Sequence, residues 1–239
     1  MPRNPKSTNA KASLSQILGK AAAKHRYVSL AWIRDRMPKV SPNTLRGYIS
    51  EAMANGEIHS AGRGWYSPLA VRAVLDQKPT EGLSELLAKR FPLLPHAVWS
   101  TAQINPWLEH TLGKETLFVN TPSDAVADVA AFLRQSGWTV VVNPTKKTGA
   151  DFVTNEKQVV LRGVRRELDE MTPERFLIEL LLENRRLGIL DEAERQAASR
   201  RWIESRRFDL TFLADQLRKS GLRLSALIGG RLQPTISEK

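Results

Sequence analysis

The chain has 239 residues and carries 36 Lys and Arg against 25 Asp and Glu, a formal charge of +11. That length suits one large or two ordinary domains, and 41% hydrophobic with 26% charged residues are the proportions of a folded, water-facing protein rather than a disordered one. No apolar run reaches the roughly 20 residues of a membrane span. The start lacks the apolar core of a secretion signal and cysteine is absent, which excludes disulfides, thiolate metal sites and cysteine catalysis; the expected compartment is a reducing cytoplasm, away from any membrane.

Charge is unevenly spread. Residues 1–75 hold 12 basic and 3 acidic side chains (+9), residues 76–144 are at −2, and the remainder is at +4. An excess of this kind on one segment favours a polyanion partner. Residues 1–12, with Arg3, Lys6 and Lys11 and no acid, read as a flexible basic arm. A first domain over 13–75 follows, and the polar stretch 76–82, with Pro79 and Gly82, reads as a linker to a second domain over 83–239.

In chain order, Leu14, Ile17, Leu18, Ala21 and Ala22 repeat at the spacing of one buried helix face, with Ser13 placed as its cap. Ser29 caps a short second helix with Leu30 and Ile33 inward, ended by Pro38. Ser41 followed by Pro42 is a strong start signal for a third helix, since Pro fits the first helical position where no N–H is needed. Its inward stripe is Leu45, Tyr48, Ile49, Ala52 and Met53. Asn43, Arg46, Gly47 and Ser50 are left outside, and Asn55-Gly56 ends it. Residues 57–60 and 65–68 read as two strands joined by the turn Ala61-Gly62-Arg63-Gly64.

Helix, short helix, turn, helix and hairpin in that order predict a winged helix-turn-helix. In that architecture the third helix enters the major groove. Asn pairs bidentately with adenine and Arg with guanine, so Asn43 and Arg46 are the expected base readers. Ser41 and Thr44 stand beside them at the helix start. Arg34, Lys39, Arg63 and the arm residues Arg3, Lys6 and Lys11 are expected to hold phosphates. The competing reading is a protein-binding module with the same helices. His25 and His59 read as incidental, and Trp32 and Trp65 as packing residues.

Beyond the linker, 83–90 predict a helix, 96–101 and 117–120 strands, and Ser123 the cap of a helix with Val126, Val129, Ala130 and Leu133 inward. The β-branched run 138–142 follows, and a hairpin about Asn155-Glu156 joins 152–153 to 159–161. Three closing helices are expected: one capped by Thr172 before Pro173, one from about Asp191, and one capped by Asp209. The predicted fold class is therefore mixed α+β, a winged helix-turn-helix followed by an α/β domain with a helical C-terminus.

Tyr66-Ser67-Pro68, Phe91-Pro92, Val98-Trp99-Ser100-Thr101, Asn105, His110, Thr172-Pro173-Glu174-Arg175 and Arg207-Phe208-Asp209 together resemble the AbiEi-like antitoxins of type IV toxin–antitoxin (abortive-infection) systems. Asn120 stands where members of that family often carry Glu. The resemblance implies a DNA-binding antitoxin that represses its own operon and counters a nucleotidyltransferase-type toxin encoded beside it; inverted-repeat operator DNA and a second copy of the chain are further expected partners. A plain winged-helix regulator of a mobile element is the alternative.

No catalytic signature is complete. Around Gly113-Lys114-Glu115 a phosphate loop would need Gly at Leu108 and Ser or Thr at Glu115, and Gly62-Arg63-Gly64 lacks a following helix. The four His have no zinc spacing, so neither metal nor cofactor is expected. Asp151 with Glu156-Lys157 suggests a metal-dependent nuclease, but neighbours on a strand point to opposite faces, and a polar turn fits them better. Arg195, Arg200, Arg201, Arg206 and Arg207, interleaved with Glu192, Glu194 and Glu204, read as a solvated salt-bridged face.

Overall fold

The computed structural model describes residues 5–145, 157–165, 168 and 170–230, with the backbone alone for 5–12. The fold is mixed α+β and divides into two compact units. One comprises 1–73 with 200–239, the other 74–199. Residues 200–230 therefore belong with the first third of the chain, whereas the sequence placed them in a continuous second domain from residue 83.

The first unit opens with α1 (Pro5–Lys24), which begins eight residues ahead of the expected Ser13 cap and takes in most of the stretch read as an arm. A two-residue strand β1 (Val28–Ser29) leads into α2 (Leu30–Arg36), whose N-terminus is capped by the Ser29 side chain accepting the Trp32 N–H. The third helix, α3 (Pro42–Ala54), starts as its Ser-Pro signal dictates, with Ser41 Oγ accepting the Thr44 N–H. It is followed by β2 (His59–Ser60) and β3 (Trp65–Ser67). The three strands form an antiparallel sheet in the order β1-β3-β2. Leu14, Leu18, Ala21, Ile33, Leu45, Ile49, Ala52 and Ile58 make one core beneath the three helices. Met53 is 38% exposed, not inward as its spacing suggested, and Tyr48 packs only at the rim of the core.

The second unit contains a four-stranded sheet in the order β4-β5-β7-β6: β4 (Ala97–Ser100), β5 (Leu117–Pro122), β6 (Thr139–Val142) and β7 (Gln158–Val164). β4 runs antiparallel to β5, while β7 lies parallel to both β5 and β6. Residues 159–161 thus pair in parallel with 140–142 on one side and 117–119 on the other. The expected hairpin partner 152–153 lies outside the described residues, as do Asp151 and Glu156.

Side chains alternate across this sheet. Val98, Val119, Val159 and Leu161 bury one face against α4 (Glu81–Arg90) and α5 (Val126–Gln135) through Leu83, Leu87, Val129, Ala130 and Leu133. Gly163 lets this layer close, because a methyl there would lie 2.8 Å from Val126 Cγ2 and 3.3 Å from the Ser123 backbone. The other face carries Trp99 stacked on Phe118 and edge-on to Phe176 of α6 (Pro173–Leu187), so helices cover both sides. The α5 N-cap is Ala125 without a side-chain bond, in place of Ser123. A 3-10 helix over Thr101–Trp107, opened by a Ser100–Gln103 capping box, follows β4.

α7 (Glu192–Ser205), α8 (Leu210–Lys219) and the short α9 (Leu224–Ile228) end the described chain. In α7 the buried positions Arg195, Ala198, Ser199, Trp202 and Ile203 form one i, i+3, i+4, i+7, i+8 stripe. Of the stretch read as a solvated salt-bridged face, Arg195 therefore points inward, while Glu192, Arg200 and Glu204 are exposed and Glu194, Arg201, Arg206 and Arg207 are half-buried. Arg195 is fully buried and bonds Glu192 through two nitrogens, at 2.9 and 2.8 Å, while Arg200 bonds the Ile228 carbonyl.

Candidate nucleic-acid interface

The outer face of α3 carries the candidate site. Asn43, Arg46, Gly47 and Ser50 are all exposed and recur at i, i+3, i+4 and i+7, so they form one stripe directly opposite the buried Leu45, Ile49 and Ala52. A side chain added at Gly47 would meet nothing within 4 Å, so no internal packing demands glycine there. The stripe presents one amide, one guanidinium, one hydroxyl and a bare backbone.

The remaining expected contact residues divide by what they already do. Arg34, Lys39 and Arg63 are exposed. Ser41 and Thr44 are committed to the α3 N-terminus, with their hydroxyl oxygens 2.8 Å apart, which leaves them less free to read a partner than their position suggested. Lys6 and Lys11 lie on the backbone of α1, and Arg3 lies outside the described residues. Lys20, Lys24, Arg26 and Arg36 are further exposed cations of the same unit. Arg36 lies over the Trp32 ring at 3.7 Å, and His25 meets that ring edge-on, so Trp32 is packed rather than an open stacking platform.

The strand pair β2–β3 closes through Ala61–Gly64. Gly62 and Gly64 adopt φ of +103° and +75°, a region that L side chains enter only with strain, and Arg63 between them is the exposed residue of the turn. Tyr27 ties this half of the unit to the C-terminal segment. It is 2% exposed; its hydroxyl lies 2.9 Å from the Ile203 carbonyl and 2.7 Å from that of Arg206, and it accepts the Phe208 N–H at 3.0 Å. Nothing in the sequence marks it, since a lone tyrosine beside two histidine-and-arginine positions has no periodic partner.

In the second unit a buried polar network lies between the sheet and α6. Arg162 donates through Nε and Nη2 to Glu183, and through Nη1 to the Pro144 carbonyl at 2.6 Å; Arg186 reaches the same carboxylate from solvent. Asn120 donates to Glu179 Oε2 at 3.1 Å. A Glu at position 120 would set two carboxylates against each other there, whereas the amide supplies a donor without charge. Arg162 and Glu183 are so deeply buried that removing Glu183 would strand the Arg162 guanidinium at a cost of about 3–5 kcal/mol, whereas Glu183 without Arg162 would still keep Arg186. At the α6–α7 junction, the Arg195 guanidinium bonded to Glu192 holds that carboxyl down to about 2, with Gln196 and Asn184 adding hydrogen bonds. Among the described residues no three His, Asp or Glu gather where a metal could sit, and no helix is long and apolar enough to cross a membrane.

The fold thus defines a mixed α+β protein of two units, with an exposed polar helix face on the first. Residues 44–196 match the model of a family of unknown function, DUF6577, and the chain belongs to that family. The matched stretch takes in α3 from Thr44, the β2–β3 hairpin and nearly the whole second unit. No curated protein and no solved structure matches the chain.

Proposed function

We propose that the first unit is a winged helix-turn-helix that binds duplex DNA, and that the whole chain is an antitoxin and autorepressor countering a nucleotidyltransferase-type toxin in the cytoplasm. The observation that carries the DNA half is the Asn43, Arg46, Gly47 and Ser50 stripe, exposed on a helix opposite its own core, in a segment at +9. A duplex is the partner such a stripe fits: the groove accepts a helix, an Arg and an Asn each find a two-point match on a base edge, and the surrounding cations meet phosphates. The antitoxin half rests on the family resemblance of the motifs around Trp99, Thr172 and Phe208, several of which are buried structural residues. Its chemistry is binding rather than catalysis.

The experiment is quantitative footprinting on the DNA directly upstream of the chain's own gene. Arg46→Ala and Asn43→Ala each lose about 1–3 kcal/mol of specific binding and relax the preference at one base position. Operator discrimination identical to the parent in both variants would overturn the reading.

A further inference from the structure

The turn between β2 and β3 is held far more completely than an exposed hairpin tip requires. Each carbonyl from Ala61 to Trp65 already accepts a hydrogen bond. Ala61 O takes the Leu210 N–H at 2.9 Å, Gly62 O the Trp65 N–H at 3.1 Å, Gly64 O the Leu30 N–H at 2.8 Å, and Trp65 O the Ala61 N–H at 2.9 Å. Arg63 O takes the Thr211 hydroxyl at 3.3 Å. Two of these five donors, Leu210 and Thr211, lie at the start of α8, about 150 residues further along the chain.

The same approach explains Gly62. A methyl group there would collide with Asp209 Oδ1 and lie 2.5 Å from Thr211 Oγ1 and 2.9 Å from Thr211 Cβ. The α8 start is itself fixed, with Asp209 Oδ1 accepting the Phe212 N–H at 2.9 Å and Leu210, Leu213 and Leu217 buried. Just before it, the Ala73 N–H bonds the Arg207 carbonyl and the Arg207 N–H bonds that of Val71. A rigid C-terminal element therefore grips a turn whose exposed side chain is Arg63.

We propose that Thr211 is a positioning residue for duplex binding: through the Arg63 carbonyl it fixes the turn so that the Arg63 guanidinium meets a phosphate already oriented. This deepens the duplex-binding reading above and rests on it. The physical gain is preorganisation. A turn already locked loses little freedom on binding, so the ordering cost that a mobile hairpin tip would bear at the interface is avoided. The duplex-binding unit is accordingly discontinuous, with residues from both ends of the chain.

The test uses the full chain and a labelled duplex from the DNA upstream of its gene, titrated over a range of salt. Arg63→Ala lowers the slope of log affinity against log salt by about one unit. Thr211→Val, which keeps the shape and loses the hydroxyl, weakens binding about two- to tenfold with an unchanged melting temperature, while Thr211→Ser restores it. Placed on Arg63→Ala, Thr211→Val has no further effect. An equal loss in both backgrounds, or none in the parent, overturns the proposal even where Arg46→Ala still relaxes specificity. A parent chain that binds no duplex at any salt overturns both this proposal and the reading on which it rests.

Discussion

Gly47 is the least expected residue of the α3 face. A helix-interior glycine costs about 1 kcal/mol relative to alanine, and the space beyond this one is empty, so the fold gains nothing from it. A partner surface that comes within contact of the α3 backbone would gain. Gly47→Ala should therefore raise the stability of the chain by up to about 1 kcal/mol while weakening duplex binding. Those opposite signs separate a role at the interface from a role in folding. Gly82 in α4 also faces empty space, and Gly82→Ala should leave duplex binding alone. Denaturant midpoints with duplex titrations of both variants check this; a Gly47→Ala chain that binds like the parent would remove the close approach. The outward placement of Asn43 and Arg46 was legible beforehand, because an apolar stripe on one side of a helix defines the other side. Tyr27 and Arg195 were not. One acts through a hydroxyl bonded to backbone remote in sequence, and the other is an arginine in a core position, where spacing says inward and chemistry says solvent.

At the level of elements, the starts with a local chemical cause could be read directly. Ser29, Ser41, Thr172 and Asp209 each cap the helix assigned to them, because a cap is decided by one side chain and one N–H two or three residues on. Pairing between distant segments could not. β1 is two residues long and exists through β3, and β7 enters between β5 and β6 by parallel pairing, which no short-range pattern encodes. α1 shows a third case. Its apolar stripe begins at Leu14, yet helical backbone extends back to Pro5, so Lys6 and Lys11 ride on a helix instead of a loose arm. They still lie ahead of the packed stripe. Deleting residues 1–12 should weaken binding to all duplexes alike and flatten the salt dependence, with little change in melting temperature. An unaltered slope of log affinity against log salt in the truncated chain would assign those cations no part in binding.

For the whole molecule, the return of residues 200–230 to the first unit changes how its two proposed tasks can be separated. A cut after the hairpin, keeping residues 77 onward, would take Leu210 and Thr211 from the Ala61–Gly64 turn and Phe208 from Tyr27, leaving the C-terminal helices without those bonds. Point variants in the intact chain avoid that damage. If neutralisation belongs to the second unit, with its closed three-layer core and its own buried Arg162–Glu183 pair, it should survive the loss of duplex binding. The competing view is that this unit serves only to pair two copies so that each α3 reaches one half-site. Co-expression with the product of the neighbouring gene distinguishes the two. Full-length chain carrying Asn43→Ala and Arg46→Ala together, shown by its melting curve to be folded and by titration to have lost operator binding, should rescue growth as well as the parent does. Rescue by the parent alone would tie protection to repression and leave a transcriptional regulator as the better description, because a repressor protects only while it occupies its operator.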